Sequence, residues 1–261
     1  VTIKVASFNI NGIKARLPRL LEWLKETRPS VACLQEIKTQ DADFPAAEFE
    51  RIGYQAIWHG QKGFNGVAIL ADGTKPVEVQ RGLAGEPEDE HSRYLEADVF
   101  GLRVVCIYLP NGNPQPGPKF NYKLRWMDRL RARMDQITAE EVPALVIGDY
   151  NVIPEDKDVW DTRAMASDAL MQPESRDAYR RLLNDGWTDA LEVHHPRGGI
   201  WTFWDYQAGA WQRDHGFRID HALLSPELAD RLVGAGVDKT YRGREKASDH
   251  APVWVTLKAP A

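Results

Sequence analysis

The sequence predicts an α+β protein in which two packed, largely antiparallel or mixed sheets carry helices on their outer faces. Three observations lead there. Ten short strand-like runs outnumber four helical segments. Strands and helices do not alternate in a steady βαβ rhythm, which sets aside a doubly wound parallel sheet. The 261 residues, 43% of them hydrophobic, are enough for one large core.

The strand-like runs are IKVASFN (3–9), SVACLQ (30–35), YQAIWH (54–59), GVAILA (66–71), PVEVQ (76–80), RYLEADV (93–99), RVVCIYL (103–109), PALVIGD (143–149), RIDHALL (218–224) and PVWVTL (252–257). Most are rich in β-branched or aromatic residues and bounded by Gly, Pro, Asn or Asp. Leu17, Leu20, Leu21 and Leu24 stand at i, i+3, i+4 and i+7, so a helix is expected from near Pro18. Further helices are expected at about 119–138 and 175–184, and a short one after Ser225-Pro226. NGNPQPGPK (111–119) reads as a rigid loop rather than a domain boundary. With no internal repeat and no low-complexity linker, residues 1–261 read as one domain.

Composition narrows the function classes. With 33 basic and 38 acidic residues the net charge is −5, which argues against coating nucleic acid through bulk positive charge. An enzyme with basic residues gathered on one face remains open. No run approaches the roughly 18–20 apolar residues of a membrane span, and VTIKVASFNI lacks a secretory pattern. Cys33 and Cys106 each sit inside an apolar run and read as buried free thiols, as in a reducing compartment. A cytoplasmic protein without membrane contact is expected.

Polar residues collect where strands end. Asn9 and Asn11 follow the first run, Glu36 the second, Tyr108 and Asn111 the seventh, and Asp149 and Asn151 the eighth. Asp220 is embedded in RIDHALL, and Asp249-His250 stand just before the last run. Residues i and i+2 of an extended chain share a side, so Asp149 and Asn151 can face one pocket. Any one of these is a common strand-to-turn residue, but a buried carboxylate such as Asp220 is costly without a partner. Six such ends point to one polar pocket. Carboxylates, amides, one His and one Tyr suit a hard divalent cation such as magnesium or manganese. Zinc spacing, a Walker-type loop, a dinucleotide fingerprint and a Gly-x-Ser-x-Gly elbow are all absent. Metal-assisted attack of water on a phosphodiester is what remains.

SFNINGIKAR (7–16), LQEIK (34–38), HGQKGFNGVAIL (59–70), YLPNG (108–112), GDYNV (148–152), TFWDY (202–206), FRIDHALLS (217–225) and SDHAPVW (248–254) together resemble the exonuclease III / AP endonuclease family of the deoxyribonuclease I-like fold. The likeness runs in order along nearly the whole chain. The GDxN and SDH pieces point only to the wider endonuclease/exonuclease/phosphatase superfamily, whereas SFNINGIKAR, HGQKGFNG and the TFW…FRID segment point to its DNA-repair branch. The resemblance implies a four-layer αββα sandwich with the site at one edge of the two sheets.

By the same resemblance Glu36 is the principal metal ligand, with Asn9 and Asp249 at the metal site. Asp149 and Asn151 hold the attacking water and orient the phosphate, and Tyr108 lies near the scissile phosphate. His250 stands at that phosphate, hydrogen-bonded by Asp220. Asn11 and Asn111 contact phosphate or DNA, and some relatives carry Asp at the position of Asn11. Phe203, Phe217 and Ile219 wall a pocket that accepts a sugar lacking its base, since a baseless sugar costs little to extrude. Trp211, at the tip of DYQAGAWQRDHG (205–216), is a candidate wedge into DNA. Whether His250 works charged or as a base stays open.

Lys14, Arg16, Lys62 and the run YRGREK (241–246) are expected to position a polyanion beside the site. RWMDRLRARM (125–134) reads as a helix with an ordinary charged face, and Lys38 faces either way. His59, His91, His194 and His195 read as surface or loop residues. The implied enzyme is a Mg²⁺-dependent monomer, with Mn²⁺ substituting, that acts on double-stranded DNA with abasic sites or blocked 3′ ends. The competing readings are a phosphoesterase for phospholipid, phosphoinositide or RNA, and an inactive DNA-binding relative.

Overall fold

A computed structural model describes residues 1–259. In chain order it runs β1 (Thr2–Asn9), α1 (Ile13–Thr27), β2 (Val31–Gln35), α2 (Ala46–Glu50), β3 (Tyr54–His59), β4 (Val67–Asp72), β5 (Val77–Arg81), β6 (Tyr94–Val99), β7 (Leu102–Tyr108), α3 (Pro118–Ala139) and β8 (Ala144–Asp149). It continues with α4 (Pro173–Asn184), β9 (Thr188–Asp189), α5 (Ala190–His194), α6 (Ala210–Arg213), β10 (Asp220–Leu224), α7 (Pro226–Ala229), β11 (Leu232–Val237) and β12 (Val253–Lys258). The strands form two six-stranded sheets, ordered β11-β12-β1-β2-β4-β3 and β5-β6-β7-β8-β10-β9. Each sheet has one parallel pair, β1·β2 and β7·β8, with antiparallel neighbours. The crossovers of those pairs are α1 and α3.

Side-chain alternation sets the layers. On β1, Ile3 and Val5 face the other sheet while Ala6 and Phe8 face α1. On β7, Val104 and Cys106 point between the sheets and Val105 and Ile107 toward α3. The buried Leu20, Trp23 and Leu24 of α1 cover one sheet, and Trp126, Met127 and Leu130 of α3 with Tyr179 and Leu182 of α4 cover the other. Each such side chain stabilises the fold by roughly 1.5–3 kcal/mol. The result is the α/β/β/α stack that the resemblance implies. Both cysteines are buried and free, and no helix among the described residues is long and apolar enough to cross a membrane.

The same alternation leads to the site. Counting in twos from Val5 reaches Asn9, from Cys106 reaches Tyr108, from Ile147 reaches Asp149, and back from Ala222 reaches Asp220. All four therefore lie on the face between the sheets, at the end where the parallel strands finish and β10 begins. Apolar packing gives way to polar one step earlier, where Ser7 donates to Gln35 at 3.1 Å.

Several expectations need correction. The first helix begins at Ile13, so Pro18 lies inside it. Ile13 extends the apolar stripe, and the early N–H groups find partners outside the helix: Gly12 donates to the Glu36 carbonyl and Ile13 to the Ile37 carbonyl. Asp220 is the first residue of its strand rather than its interior. Strands β9 and β11 and helices α2, α5 and α6 were not foreseen. β11 (LVGAGV) lacks a β pattern because Gly236 makes room for the Trp254 indole, which a Cβ there would approach to 2.8 Å.

Gly148 has a positive φ of 155°, and a Cβ there would stand 2.1 Å from the Ile107 carbonyl oxygen. Close pairing of β7 and β8 thus excludes any side chain one residue before Asp149. Gly148→Ala is expected to lower stability by about 3 kcal/mol in urea unfolding. A loss under about 1 kcal/mol would show that this approach is not constrained.

Candidate active site

One amide joins the two sheets at their polar end. Asn9 is fully buried; its Oδ1 accepts the Asn11 backbone N–H at 3.0 Å, which fixes the orientation of the side chain. Its Nδ2 then donates to Glu36 Oε1 and to Asp149 Oδ2, both at 2.9 Å. Asn9 is thus a clamp between two carboxylates, and the geometry does not present its oxygen to a metal. Glu36 sits just past β2 in the left-handed region (φ 49°), a conformation costing a non-Gly residue about 1–2 kcal/mol. Backbone bonds from Gly12 to its carbonyl and from Ile37 to Gly66 hold it there. Lys38 contacts Glu36 Oε2 at 3.1 Å and donates to Asn11 Oδ1 at 2.6 Å, so it faces the site. Burial raises the Glu36 carboxyl, but the Asn9 amide and the Lys38 ammonium outweigh it and hold the group below its ordinary value.

Asp149 and Asn151 both reach the pocket, though not by simple extension. Asp149 Oδ1 accepts the Asn151 N–H at 3.0 Å, and Asn151 turns through φ 47°. The Asn151 amide donates to the Leu109 carbonyl at 2.8 Å, and Asn111 Nδ2 reaches Asn151 Oδ1 at 3.4 Å. Tyr108 lies beside Glu36 and Asp149; burial and these two carboxylates push its phenol well above the ordinary range, so it stays protonated. Arg93 stacks on the Tyr108 ring at 4.8 Å.

His250 is buried between two carboxylates. Its Nδ1 pairs with Asp220 Oδ2 at 2.8 Å and its Nε2 stands 3.6 Å from Asp149 Oδ2. Thr202 Oγ1 accepts the Ile219 and Asp220 N–H groups and fixes the start of β10. Ser248, adjacent to the expected pair but not itself expected in the site, donates to the Asn9 carbonyl at 2.6 Å and so ties the last loop to β1. Burial lowers the imidazole pKa, but Asp220 and Asp149 overcome it and raise it to about 10. Burial lifts Asp149 to about 7, against the opposing pull of His250. The geometry favours a charged His250, with both ring nitrogens protonated and facing carboxylates.

The donor atoms of Glu36, Asp149 and His250 lie within 4.8 Å of one another. Two oxygen donors beside a charged imidazole suit a hard divalent cation held between Glu36 and Asp149. Asp249, expected at the metal edge, is not in this group; its Oδ1 accepts from Asn11 at 3.3 Å.

Phe203, Phe217 and Ile219 line a cavity of about 660 Å³ that opens against His250. Phe203 and Phe217 stack at 4.7 Å, and Phe203 meets the His250 ring edge-on at 5.1 Å. The far wall was not anticipated: Trp160 stacks flat on His215 at 3.8 Å. A tryptophan in a polar turn was the available signal. The wall is braced by Arg218, buried and paired with Asp158 and Asp189 at 2.8 Å each.

Other expected contacts are rearranged. Trp211 does not stand at a loop tip; it lies in α6, half-buried, edge-on to Trp204 at 5.1 Å, with Gly243 packed against it. Of the run 241–246, Arg242 donates to the Trp204 carbonyl and Arg244 pairs with Glu22 and Glu26, leaving Lys246 as the exposed cation. The arginines of 125–134 likewise pair, among them Arg129 with Asp89 and Arg133 with Glu96. Lys62 is exposed on a loop whose Asn65 and Gly66 carbonyls bind Lys38 and Ile37, and it does not line the cavity.

Proton-detected titration of the His250 ring is expected to show it charged through pH 8, with Asp220→Asn lowering its pKa by about one unit or more. The folded value exceeds the ordinary 6.5, so its stabilising contribution is complete below about pH 6.5 and is lost as pH rises toward 10. A wild-type ring titrating near 6.5 would contradict this.

Residues 6–250 match the Endonuclease/Exonuclease/phosphatase family. An exodeoxyribonuclease III of Haemophilus influenzae is 35% identical over 271 residues, covering 98% of this chain and 100% of its own. A DNA repair nuclease APEX1 of Danio rerio is 29% identical, covering 98% and 82%. Among solved structures, an AP endonuclease from Archaeoglobus fulgidus has a TM-score of 0.93 at 38% identity, covering 98% and 99%. A 3′ phosphatase from Neisseria bound to a product DNA hairpin has 0.95 at 35%, with the same coverage. Strand order, the clamped carboxylates and this near-complete match agree, and the chain belongs to the endonuclease/exonuclease/phosphatase family.

Proposed function

We propose that this chain is a metal-dependent DNA repair phosphodiesterase. It incises duplex DNA 5′ to abasic sites and trims or cleans 3′ ends, by attack of water on the phosphodiester. The observation that carries the reading is the union of two elements: carboxylates and an imidazolium that suit a phosphodiester, and an apolar cavity against His250 that suits a sugar without its base. The relatives named as exodeoxyribonuclease III, AP endonuclease and 3′ phosphatase support it.

Each side chain has a task under this reading. Asp149, with its proton affinity raised to about 7, accepts the proton of the attacking water near neutral pH. Asn151 orients that water through its amide. Charged His250, kept so by Asp220, donates to a phosphoryl oxygen on which charge develops. Tyr108 and Asn111 add donors at the same phosphate. Glu36 would hold Mg²⁺, with Mn²⁺ as substitute, beside Asp149, and a bound ion would supply positive charge to offset the phosphodiester and the leaving oxygen. Phe203, Phe217 and Ile219 take the baseless sugar and exclude water. Lys62 and Lys14 lie outside and attract the backbone. The enzyme works as a monomer on double-stranded DNA with abasic sites or blocked 3′ ends.

A labelled duplex with one abasic analogue, run beside an intact duplex and a 3′-phosphate duplex, tests this. Cutting 5′ to the lesion is expected with Mg²⁺ and not with EDTA. Asp149→Asn and His250→Asn are each expected to slow it by about 10²–10⁴-fold. If none of the three duplexes reacts with any divalent metal, the reading fails.

A further inference from the structure

Lys123 stands where the apolar stripe of α3 calls for a hydrophobic side chain, between Phe120 and Trp126. It is fully buried, and among the described residues its Nζ has no direct carboxylate partner. Instead it donates to the Asn111 carbonyl at 3.0 Å and to the Asn151 carbonyl. These are the residues that follow the β7 and β8 tips and whose side chains meet in the cavity. The loop is shaped to lie over the lysine. Gly112 has φ 91°, and a Cβ there would come to 2.6 Å from Lys123 Cδ. Asn113 then ties the loop to the cavity wall, donating to Asp168 at 3.0 Å and accepting from Ala169 at 2.9 Å.

We propose that Lys123 is a positioning residue: from beneath the cavity it fixes the main chains of Asn111 and Asn151, and so the spacing at which their amides meet the phosphate and the attacking water. This rests on the phosphodiesterase reading above. A buried cation is expensive when no carboxylate touches it. Burial pushes the Lys123 ammonium down to about 7, with Asp168 and Asp149 opposing. The ammonium has three N–H donors and the neutral amine two, so both carbonyls are served in either state. Its target is backbone at two loop tips, where a misplacement of about 1 Å slows reactions about 10²-fold.

The test is a double-mutant cycle on abasic duplex cleavage. Lys123→Met is expected to lower kcat by about 10–100-fold while KM changes less than about threefold. Lys123→Arg should recover part of the rate. Lys123→Met combined with Asn151→Ala should lose clearly less than the product of the two single losses, because part of the lysine's effect runs through that residue. Leu130→Ala, a destabilising change elsewhere on α3, should keep its kcat per folded molecule. Wild-type kcat in Lys123→Met, or losses that multiply in the double variant, would overturn the proposal. If Lys123→Met does not fold, Lys123→Gln is read in the same way. If the wild-type protein cuts no DNA, the phosphodiesterase reading has failed, and the positioning is read from Asn-¹⁵N-labelled protein. The Asn111 and Asn151 side-chain amides should then shift in Lys123→Met, and unmoved signals would refute it.

Discussion

Everything at the polar end of this molecule hangs on the side-chain amide of Asn9. It donates one N–H to a carboxylate carried by its own sheet and the other to a carboxylate of the facing sheet. Each such bond to a charged group is worth roughly 1.5–3 kcal/mol, and leaving either acceptor unmet in the interior costs at least as much. The amide therefore fixes the relative height of the two sheets at their shared edge. Asn9 is held in turn by Asn11 through its oxygen and by Ser248 through its carbonyl. The clamp places negative charges close together, an arrangement that favours a bound cation and works against the empty site.

Proton placement follows from that crowding. Glu36 has Lys38 and the amide for company and stays ionised. Asp149 is more deeply buried, with Asp220 and Glu36 nearby, and is lifted into the neutral range despite His250. His250 lies between Asp149 and Asp220 and keeps its proton. Environments that separate like groups in this way assign an acceptor and a donor within one small volume. The second Asp220 oxygen has no partner among the described residues, so the dyad with His250 carries the burden of a buried carboxylate.

Much of this was legible in the sequence because period-two alternation continues past the last apolar residue of each strand. Val5 predicts the side on which Asn9 falls, and Ile147 predicts that of Asp149. Less legible were features that tertiary contact decides. Arg242 and Arg244 look like a basic patch beside the site, but a carbonyl and two glutamates of α1 claim them. Trp211 looks like a loop-tip aromatic, yet Trp204 lies edge-on to it and Gly243 packs against it. Lys123 breaks the stripe of α3, and only the passage of two loop tips beneath the cavity explains why. Pro18 lies within a helix because partners for the early N–H groups come from a segment more than twenty residues away.

The central claim is that water held by this cluster attacks phosphorus directly. Single-turnover cleavage of an abasic duplex in H₂¹⁸O, with mass analysis of both fragments, tests it without reference to rate. The account predicts one ¹⁸O in the 5′-phosphate of the downstream fragment and a plain 3′-hydroxyl on the upstream one. A break on the other side of the sugar with no label incorporated, as elimination would give, would contradict it.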